Sequence, residues 1–521
     1  MRQSFGLTLQ RIFYVFFLCF FGIVALFAAG WLIYGYVAGE PYFLFPGIYG
    51  KPLNPWIIAA GAALLSGLLA ALVRAFGRLE ARIHRWLAIA VFALLILAQA
   101  LFSSIYRVEP AVWDFAMVHF QAASMAFGGN DYSYYFEDYT NNIGVTLLLA
   151  CLYKAVLWAL EGAADLETAG IIFNIAMIDL GVLFVYRTAK RLFGIRQATA
   201  ALLAAVLFSP FITYAPIYYT DTIVLPFAAG MLYFYFAGRG QPAGKQTLLV
   251  LAASLLGAIG TVIKPTVAIL FVALWIHLLL TEKWPAFFRQ AALAGAILLA
   301  IQQAFPAIAD ASRILPQPYK EAGFPFTHWI MMGLKEPYGF YDMEDVLYTK
   351  SFPDKPSRKA ANLAVIRDRL RTYGAERLAW LLSAKAVFVW GDGTYFAPVK
   401  LNRGVPEYTK WHAYVLPMDG NNNTVFIYYC QSFQAALLFF FLISGFRHIR
   451  SKKISPITLC AMAVLGLGLF ELVWEARSRY LIHFAPAILL IYADGLLQWQ
   501  FAGKRRLPKF RPIPPSIGKA G

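Results

Sequence analysis

Cysteine and charged residues are both scarce in this chain. Only four cysteines occur among 521 residues, and 14% of the residues are charged. Every cysteine lies in an apolar run and none has metal-ligand spacing, so the sequence predicts neither a disulfide framework nor a cysteine metal site. Histidine, aspartate and glutamate show no compact metal-ligand spacing either, although Asp114, Asp138 and Asp221 could together gather a cation that prefers oxygen ligands. We expect no cofactor. Hydrophobic residues, by contrast, make up 60% of the chain.

Long apolar runs recur along the sequence and predict an all-α protein that crosses a membrane about 12 times. The first run begins within the first dozen residues and lacks a small-residue cleavage site, which indicates a retained span rather than a removed signal peptide. The predicted spans are 12–38, 56–73, 86–106, 168–186, 197–213, 222–238, 246–262, 266–281, 286–304, 425–446, 456–472 and 480–498.

The formal net charge is +17, and its distribution predicts the orientation of the protein. If both termini lie in the cytoplasm, the segments on that side are rich in Lys and Arg and contain only two acidic residues, Glu80 and Glu282. This is the positive-inside pattern of membrane proteins. The basic excess therefore indicates contact with membrane lipids, and it requires no nucleic acid partner.

Residues 143–160 are apolar enough to suggest a further span. Counting these residues as a span would place the basic residues of 187–196 on the extracytoplasmic side and would reverse the sidedness of every later loop. Their length is also marginal, about 27 Å at 1.5 Å per residue. We therefore predict that 143–160 forms a helix lying at the outer membrane interface.

Two parts of the chain are expected on the extracytoplasmic side, a first loop at 107–167 and a long loop at 305–424. The predicted organisation is a two-span N-terminal extension (1–85), a transmembrane core (86–304), an outer loop or small domain (305–424), and three final spans with a basic cytoplasmic tail (425–521). No internal repeat is visible, which weakens an inverted-repeat transporter interpretation.

A tyrosine-rich, acidic segment lies in the first outer loop. Carboxylates near hydrocarbon are costly and usually serve a function, and aromatic rings beside polar groups suit a sugar. We predict a sugar or acceptor pocket here, with Asp138 and Glu137 as alternative bases. The residues assigned to it are Tyr132, Tyr135, Asp138, Tyr139, Asn141 and Asn142.

Asp114 is the first candidate for a general base. Residues 113–127 have no helix breaker, and on a helix His119 would lie roughly 140° away from Asp114, too far for the two to pair. Asp114 could cap the helix N-terminus. Alternatively, it accepts a proton from an attacking hydroxyl at the water–membrane boundary, a role worth roughly 10²–10⁴ in rate.

Three features together resemble the GT-C superfamily of membrane glycosyltransferases. They are Trp113-Asp114-Phe115 in the first outer loop, the helix at 143–160 followed by a span that ends in basic residues, and Glu475-Ala476-Arg477-Ser478-Arg479-Tyr480-Leu481. The similarity is to the protein mannosyltransferase and aminoarabinose-transferase branch, over roughly 86–500. Two spans precede the region of similarity, and Trp113-Asp114-Phe115 stands where the family has a paired Asp-Glu.

This resemblance implies a polyprenyl-phosphate-linked sugar donor, metal-independent transfer, and cations that hold the phosphate. Arg477, Arg479 and Lys264 are the candidates, since arginine matches phosphate oxygens bidentately. Arg479 could instead pair with Glu475 one helical turn away. Lys264 could be a snorkelling lysine.

Three further residues are assigned to the site. Asp221 is a second catalytic carboxylate that orients the acceptor or shifts the pKa of Asp114, or else a helix cap. His328 lies in 325–333, a segment too apolar for a solvated loop, which we expect to dock onto the membrane core near the site. Tyr480 adjoins the two arginines and is placed in the sugar pocket.

The predicted function is that of an inverting glycosyltransferase in a membrane, interpreted as a bacterial cell membrane. Its site faces the extracytoplasmic side, and its acceptor is a glycan, a lipid or a protein. One alternative is a polysaccharide ligase or polymerase with a diphosphate-linked donor, in which His328 and Arg313 would be critical. Another is a flippase or transporter, which would use Asp179, Glu471 or Asp494 within the spans.

Overall fold

The computed structural model describes residues 2–40, 52–129, 132–418 and 422–500. Within these ranges the chain forms helices and no β-strand. The first helices are α1 (Arg2–Ala38), α2 (Pro55–Phe76), α3 (Ala81–Ile105), α4 (Trp113–Ala126), α5 (Tyr135–Asp138), α6 (Ile143–Ala159), α7 (Leu166–Phe193), α8 (Ile195–Leu207), α9 (Pro210–Thr213), α10 (Thr220–Ile223) and α11 (Leu225–Gly238). The others are α12 (Ala243–Ile263), α13 (Ala268–Thr281), α14 (Trp284–Ala311), α15 (Phe326–Gly333), α16 (Met343–Lys350), α17 (Lys355–Trp390), α18 (Ala397–Leu401), α19 (Thr424–Ile449), α20 (Ile457–Val473) and α21 (Ala485–Gln500).

Ten helical segments of the described chain are long and apolar enough to cross a membrane, and three shorter apolar helices accompany them. The predicted all-α, multi-pass fold class is confirmed. The predicted span 197–213 is shorter than expected, because α8 ends at Leu207 and a separate turn of helix begins at Pro210. Proline has no backbone N–H to donate and disfavours helical geometry in the residue before it.

Helix α6 packs against α4, and its start lies close to the turn before α10. At its start, Asn142 accepts a hydrogen bond from the Tyr219 hydroxyl at 2.9 Å. Further along, the Tyr153 and Tyr218 hydroxyls both lie within hydrogen-bond distance of His119 Nδ1, at 3.0 and 2.8 Å. Length and composition would allow Thr140–Ala159 to span, so the interfacial placement of this helix stays a prediction.

The N-terminal helices pack against the C-terminal ones. Helix α1 lies against α19 and α20, and α2 lies against α19 and α8. Gln10 is fully buried and accepts hydrogen bonds from Ser455 N at 2.8 Å and from the Thr458 hydroxyl at 2.9 Å. The proposed division of the chain at residues 85, 304 and 424 stays a prediction, and the basic tail from 501 lies outside the described residues.

The long loop contains α15 to α18 and folds back onto the bundle. Helix α17 has a break at Gly374, whose φ is 62°. Salt bridges connect the segments of the loop, such as the bidentate salt bridge between Arg369 and Asp345, with distances of 2.7 and 2.9 Å. Helix α15 docks against the end of α20, as the apolar character of 325–333 predicted. The loop thereby closes over one end of the transmembrane core.

Candidate active site

A cavity of about 750 Å³ lies at the end of the bundle that carries α4, α15 and α18. Its walls come from the first outer loop, the turns before α11 and after α12, the long loop, and the segment after α20. All of these segments were assigned to the extracytoplasmic side from the sequence. Loops predicted on one side of the membrane therefore meet in one site.

Asp114 lines the cavity from the first turn of α4. The N-cap position belongs to Val112, without a side-chain cap bond, so the capping interpretation of Asp114 is wrong. The Tyr219 hydroxyl lies 3.4 Å from Asp114 Oδ2 and donates more closely to Asn142, at 2.9 Å. No described cation forms an ion pair with Asp114. Its carboxylate is therefore available to a ligand.

Asp221 lies behind the cavity wall and pairs with two cations. It is 1% exposed and forms salt bridges with Lys264 and with Arg479, the latter at 2.7 Å between Oδ2 and Nη1. The helix-cap interpretation of Asp221 is wrong, because the N-cap of α10 is Tyr219. Lys264 is buried, not a snorkelling lysine at the surface. One carboxylate thus holds two cations at the cavity.

The positions of these residues follow from local backbone features. Asn174 Nδ2 donates to the carbonyl oxygens of Tyr214 and Ala215 at 2.8 and 2.9 Å, which fixes the turn leading to Asp221. Pro265 prevents α12 from continuing, and Lys264 therefore adopts an extended conformation. Its side chain is directed from the helix end towards Asp221.

Arg477 pairs with Glu475, at 2.7 Å between Nε and Oε1. The predicted pair of Arg479 with Glu475 is wrong. Helix α20 ends at Val473, and Arg477 is extended, with φ −155° and ψ 135°. In an extended segment, residues two apart point to the same side, whereas a helical pair would be four apart.

Lys400 is a further cation of the cavity wall. It is 1% exposed, and its Nζ lies 3.7 Å from the centre of the Trp113 ring. Burial, and then the charges of Arg479 and Arg477, hold the pKa of Lys400 well below its usual value. No described carboxylate forms an ion pair with Lys400. Trp113 itself has φ 60°, a strained conformation for a bulky residue.

Asp392 connects the segment before Lys400 to the arginine segment. Its Oδ2 accepts from Phe396 N at 2.8 Å and from the Ser478 hydroxyl at 2.6 Å, and its Oδ1 accepts from Thr394 N at 2.9 Å. Because Ser478 lies between Arg477 and Arg479, this carboxylate fixes the cations of two distant segments relative to one another.

Residues 7–499 match the model of a family described as conserved hypothetical integral membrane protein. The chain belongs to this family. No curated protein matches it.

Solved structures that are similar to this chain cover most of its length. One is the archaeal oligosaccharyltransferase AglB from Archaeoglobus fulgidus with an inhibitory peptide and a dolichol-phosphate, at 12% identity and a TM-score of 0.43, over 80% of this chain and 51% of that chain. Another is ArnT from Cupriavidus metallidurans bound to undecaprenyl phosphate, at 14% identity and a TM-score of 0.35, over 79% of this chain and 77% of that one. This chain spans about half the length of the oligosaccharyltransferase. The likeness concerns the fold alone.

The structure brings most of the predicted site residues to the cavity wall. Those lining it are Asp114, Tyr135, Tyr139, Asn141, Asn142, Lys264, Arg477, Arg479 and Tyr480. Asp221 lies directly behind Lys264 and Arg479. Burial raises the pKa of Tyr139 and of Tyr135, so both hydroxyls remain protonated donors.

Three predicted residues, Tyr132, Asp138 and His328, do not line the cavity. Asp138 is buried against the long loop, where it pairs with Lys350 at 2.7 Å and Arg358 at 3.3 Å. Tyr132 is 43% exposed at the surface. His328 is buried beside the Thr349 hydroxyl at 2.8 Å, and burial lowers its pKa to about 4. The ligase alternative required His328 and Arg313, and neither lines the cavity.

Several cavity residues were not predicted. Lys400, Arg403, Tyr219 and Trp474 all line the wall. Lys400 could have been found, because an isolated lysine in the apolar run Ala397–Leu401 needs a polar partner or a function. In the described chain, no group of three or more histidine, cysteine, aspartate and glutamate residues could hold a metal ion.

Proposed function

We propose that the protein is an inverting glycosyltransferase that moves a sugar from a polyprenyl-phosphate donor to a glycan, lipid or protein acceptor on the extracytoplasmic side of the membrane. The observation that carries the proposal is the composition of the cavity. Asp114, a carboxylate without a cationic partner among the described residues, shares about 750 Å³ with a cluster of buried cations and with aromatic walls. A base, a phosphate site and sugar-binding surfaces are the groups that such a transfer requires.

Asp114 acts as the general base in this mechanism. The acceptor hydroxyl oxygen attacks the anomeric carbon of the donor sugar and transfers its proton to the Asp114 carboxylate. The bond between the anomeric carbon and the phosphate oxygen breaks, and the phosphate leaves with the bonding electrons. A single displacement inverts the anomeric configuration. Proton acceptance by a positioned side chain is worth roughly 10²–10⁴ in rate.

The cations stabilise the charge that develops on the leaving phosphate. Lys264 and Arg479 share the single charge of Asp221, so this trio has a net positive charge. Lys400 adds an amino group without an ion pair among the described residues, and a bound phosphate would favour its charged form. Fixed cations in a site that excludes water stabilise a developing anion strongly. Asp221 acts here as a positioning residue, since its two oxygens are occupied by Lys264 and Arg479.

The sidedness follows from the charge distribution of the sequence. The segments that line the cavity are those that the positive-inside pattern assigns to the extracytoplasmic side. A donor with a membrane-embedded polyprenyl chain and a phosphate at the interface fits a site with apolar walls, such as Ile269 and Phe470, beside cations.

The test is a transfer assay with the purified protein in lipid vesicles. The probes are undecaprenyl phosphates that carry radiolabelled glucose, mannose, galactose or arabinose, with isolated cell-envelope material as acceptor. Asp114→Asn should lower transfer by roughly 10²–10⁴ while the protein stays folded. Asp368→Asn is the matched control, because Asp368 is exposed on α17 and does not line the cavity. Unchanged transfer by a folded Asp114→Asn protein would exclude Asp114 as the base.

A further inference from the structure

The carboxyl group of Glu471 is buried in the cavity wall and has no hydrogen-bond partner among the described residues. Glu471 lies in the last turn of α20 and is 2% exposed. Neither Oε1 nor Oε2 has a hydrogen-bond partner among the described residues. Burying such a group unpaired costs stability, and a protein that retains it needs a reason. Because Glu471 lines the cavity, a ligand there can supply the missing partners.

Two tryptophans form an apolar surface in the same cavity. The rings of Trp329 and Trp474 are nearly parallel, at 21°, with centroids 6.1 Å apart, and Phe470 stacks on Trp474 at 4.9 Å. Both tryptophans are partly exposed and line the cavity. Trp474 directly follows α20, so its ring and the Glu471 carboxyl belong to one wall.

The backbone around this surface is held rigidly. Lys385 Nζ donates to Trp474 O at 2.7 Å and to Gly333 O at 2.5 Å. This lysine therefore ties the end of α15, which carries Trp329, to Trp474. Gly333 approaches so closely that a Cβ atom there would lie 2.6 Å from the carbonyl carbon and oxygen of Trp474. A surface held in this way is preorganised for ligand binding.

We propose that Glu471, Trp329 and Trp474 form a sugar-binding subsite. The C–H face of a pyranose or furanose ring packs on the indole rings, whose faces are electron-rich. Two neighbouring hydroxyls of the same sugar form hydrogen bonds with the two oxygens of Glu471. This inference rests on the proposed function and adds a sugar subsite to it, formed by the segments at the ends of α15 and α20. The sugar belongs either to the donor or to a glycan acceptor.

The first experiment compares thermal stability in detergent without ligand. Glu471→Leu removes an unpaired buried carboxyl, so its melting temperature should equal or exceed that of the wild type. The matched control is Asp345→Leu, because Asp345 is also buried but pairs with Arg369, and its loss should lower the melting temperature. A melting temperature of Glu471→Leu well below the wild type would overturn the proposal, because it would show that the chain itself uses the carboxyl.

The second experiment measures binding. The probes are bare undecaprenyl phosphate, undecaprenyl phosphate carrying each of the four sugars above, and glycans released from the envelope of the producing cells. If the donor sugar occupies the subsite, the wild type should bind one sugar-linked lipid more tightly than the bare lipid, and Glu471→Leu should reduce that gain at least about tenfold. If a glycan acceptor occupies the subsite, Glu471→Leu should instead bind the released glycans more weakly than the wild type does.

The outcomes separate the two proposals. A wild-type preference for sugar-linked lipid or glycan that Glu471→Leu fully retains overturns the subsite and leaves the proposed function intact. A wild type that binds none of the sugar-bearing probes contradicts the proposed function and the subsite together.

Discussion

Asp221→Asn should destabilise the protein strongly, because it leaves two buried cations without their shared partner. Lys264 and Arg479 both contact Asp221, and all three side chains are at most 10% exposed. Removing one partner of a buried ion pair costs about 3–5 kcal/mol. Since Lys264 and Arg479 would also repel one another, we expect a loss of free energy of unfolding in the upper part of that range. Unfolding in mixed micelles titrated with a denaturing detergent measures this loss.

Lys264→Met should have a different effect at the same trio. It leaves Asp221 and Arg479 as a balanced pair at 2.7 Å, so the free energy of unfolding should change less than in Asp221→Asn. Binding of undecaprenyl phosphate should weaken, because the surplus positive charge is gone. Conversely, undecaprenyl phosphate should stabilise Asp221→Asn more than it stabilises the wild type, since a bound anion replaces the lost charge.

The control for both variants is Glu336→Gln. Glu336 pairs with Arg377, whose side chain is 54% exposed, and exposed pairs contribute about 0–1 kcal/mol. If Asp221→Asn lost no more stability than Glu336→Gln, the carboxylate would not be balancing two buried cations, and the account of the phosphate site would be refuted.

Two further predictions concern the backbone around the tryptophans. Burial lowers the pKa of Lys385 to about 7 from its usual 10.5, against the opposing charges of Glu471 and Glu475. Between about pH 7 and pH 10 the unfolded chain therefore binds more protons than the folded chain. The stability of the wild type relative to Lys385→Met should rise with pH in this range, by at most about 1.4 kcal/mol per pH unit. A difference in melting temperature between the two proteins that is constant from pH 6 to pH 9 would contradict this. Gly333→Ala should cost about 1–3 kcal/mol and lower transfer, because its Cβ would overlap the backbone of Trp474. Gly67→Ala, in α2 with no atom within 4 Å of the added Cβ, should be neutral or stabilising in the same thermal assay.

Hydropathy and charge were sufficient to predict the transmembrane framework. Apolar runs mark spans because backbone polar groups in lipid must be satisfied within helices, and basic loops mark the cytoplasmic side. The same charge argument places 143–160 at the interface, which stays a prediction, because length and composition would also allow this helix to span. The error at 197–213 arose because hydropathy averages over a window and does not register that Pro210 ends the helix.

The site was only partly predictable, because its ion pairs join distant segments. Asp138 looked like a free carboxylate in its own loop, yet its partners Lys350 and Arg358 lie more than 200 residues further along the chain. The partner of Arg479 was misassigned because helical spacing was assumed where the backbone is extended. Sequence spacing identifies neighbours only when the local backbone conformation is known.

Mass spectrometry of cell-envelope glycans and lipids tests the central claim most directly. A deletion strain would be complemented with the wild type, with Asp114→Asn, or with Asp368→Asn, each produced at the same level. The proposed function predicts that one sugar modification is absent from the deletion strain, is restored by the wild type and by Asp368→Asn, and stays absent with Asp114→Asn. Restoration by Asp114→Asn, or an unchanged glycan and lipid profile in the deletion strain, would contradict the account.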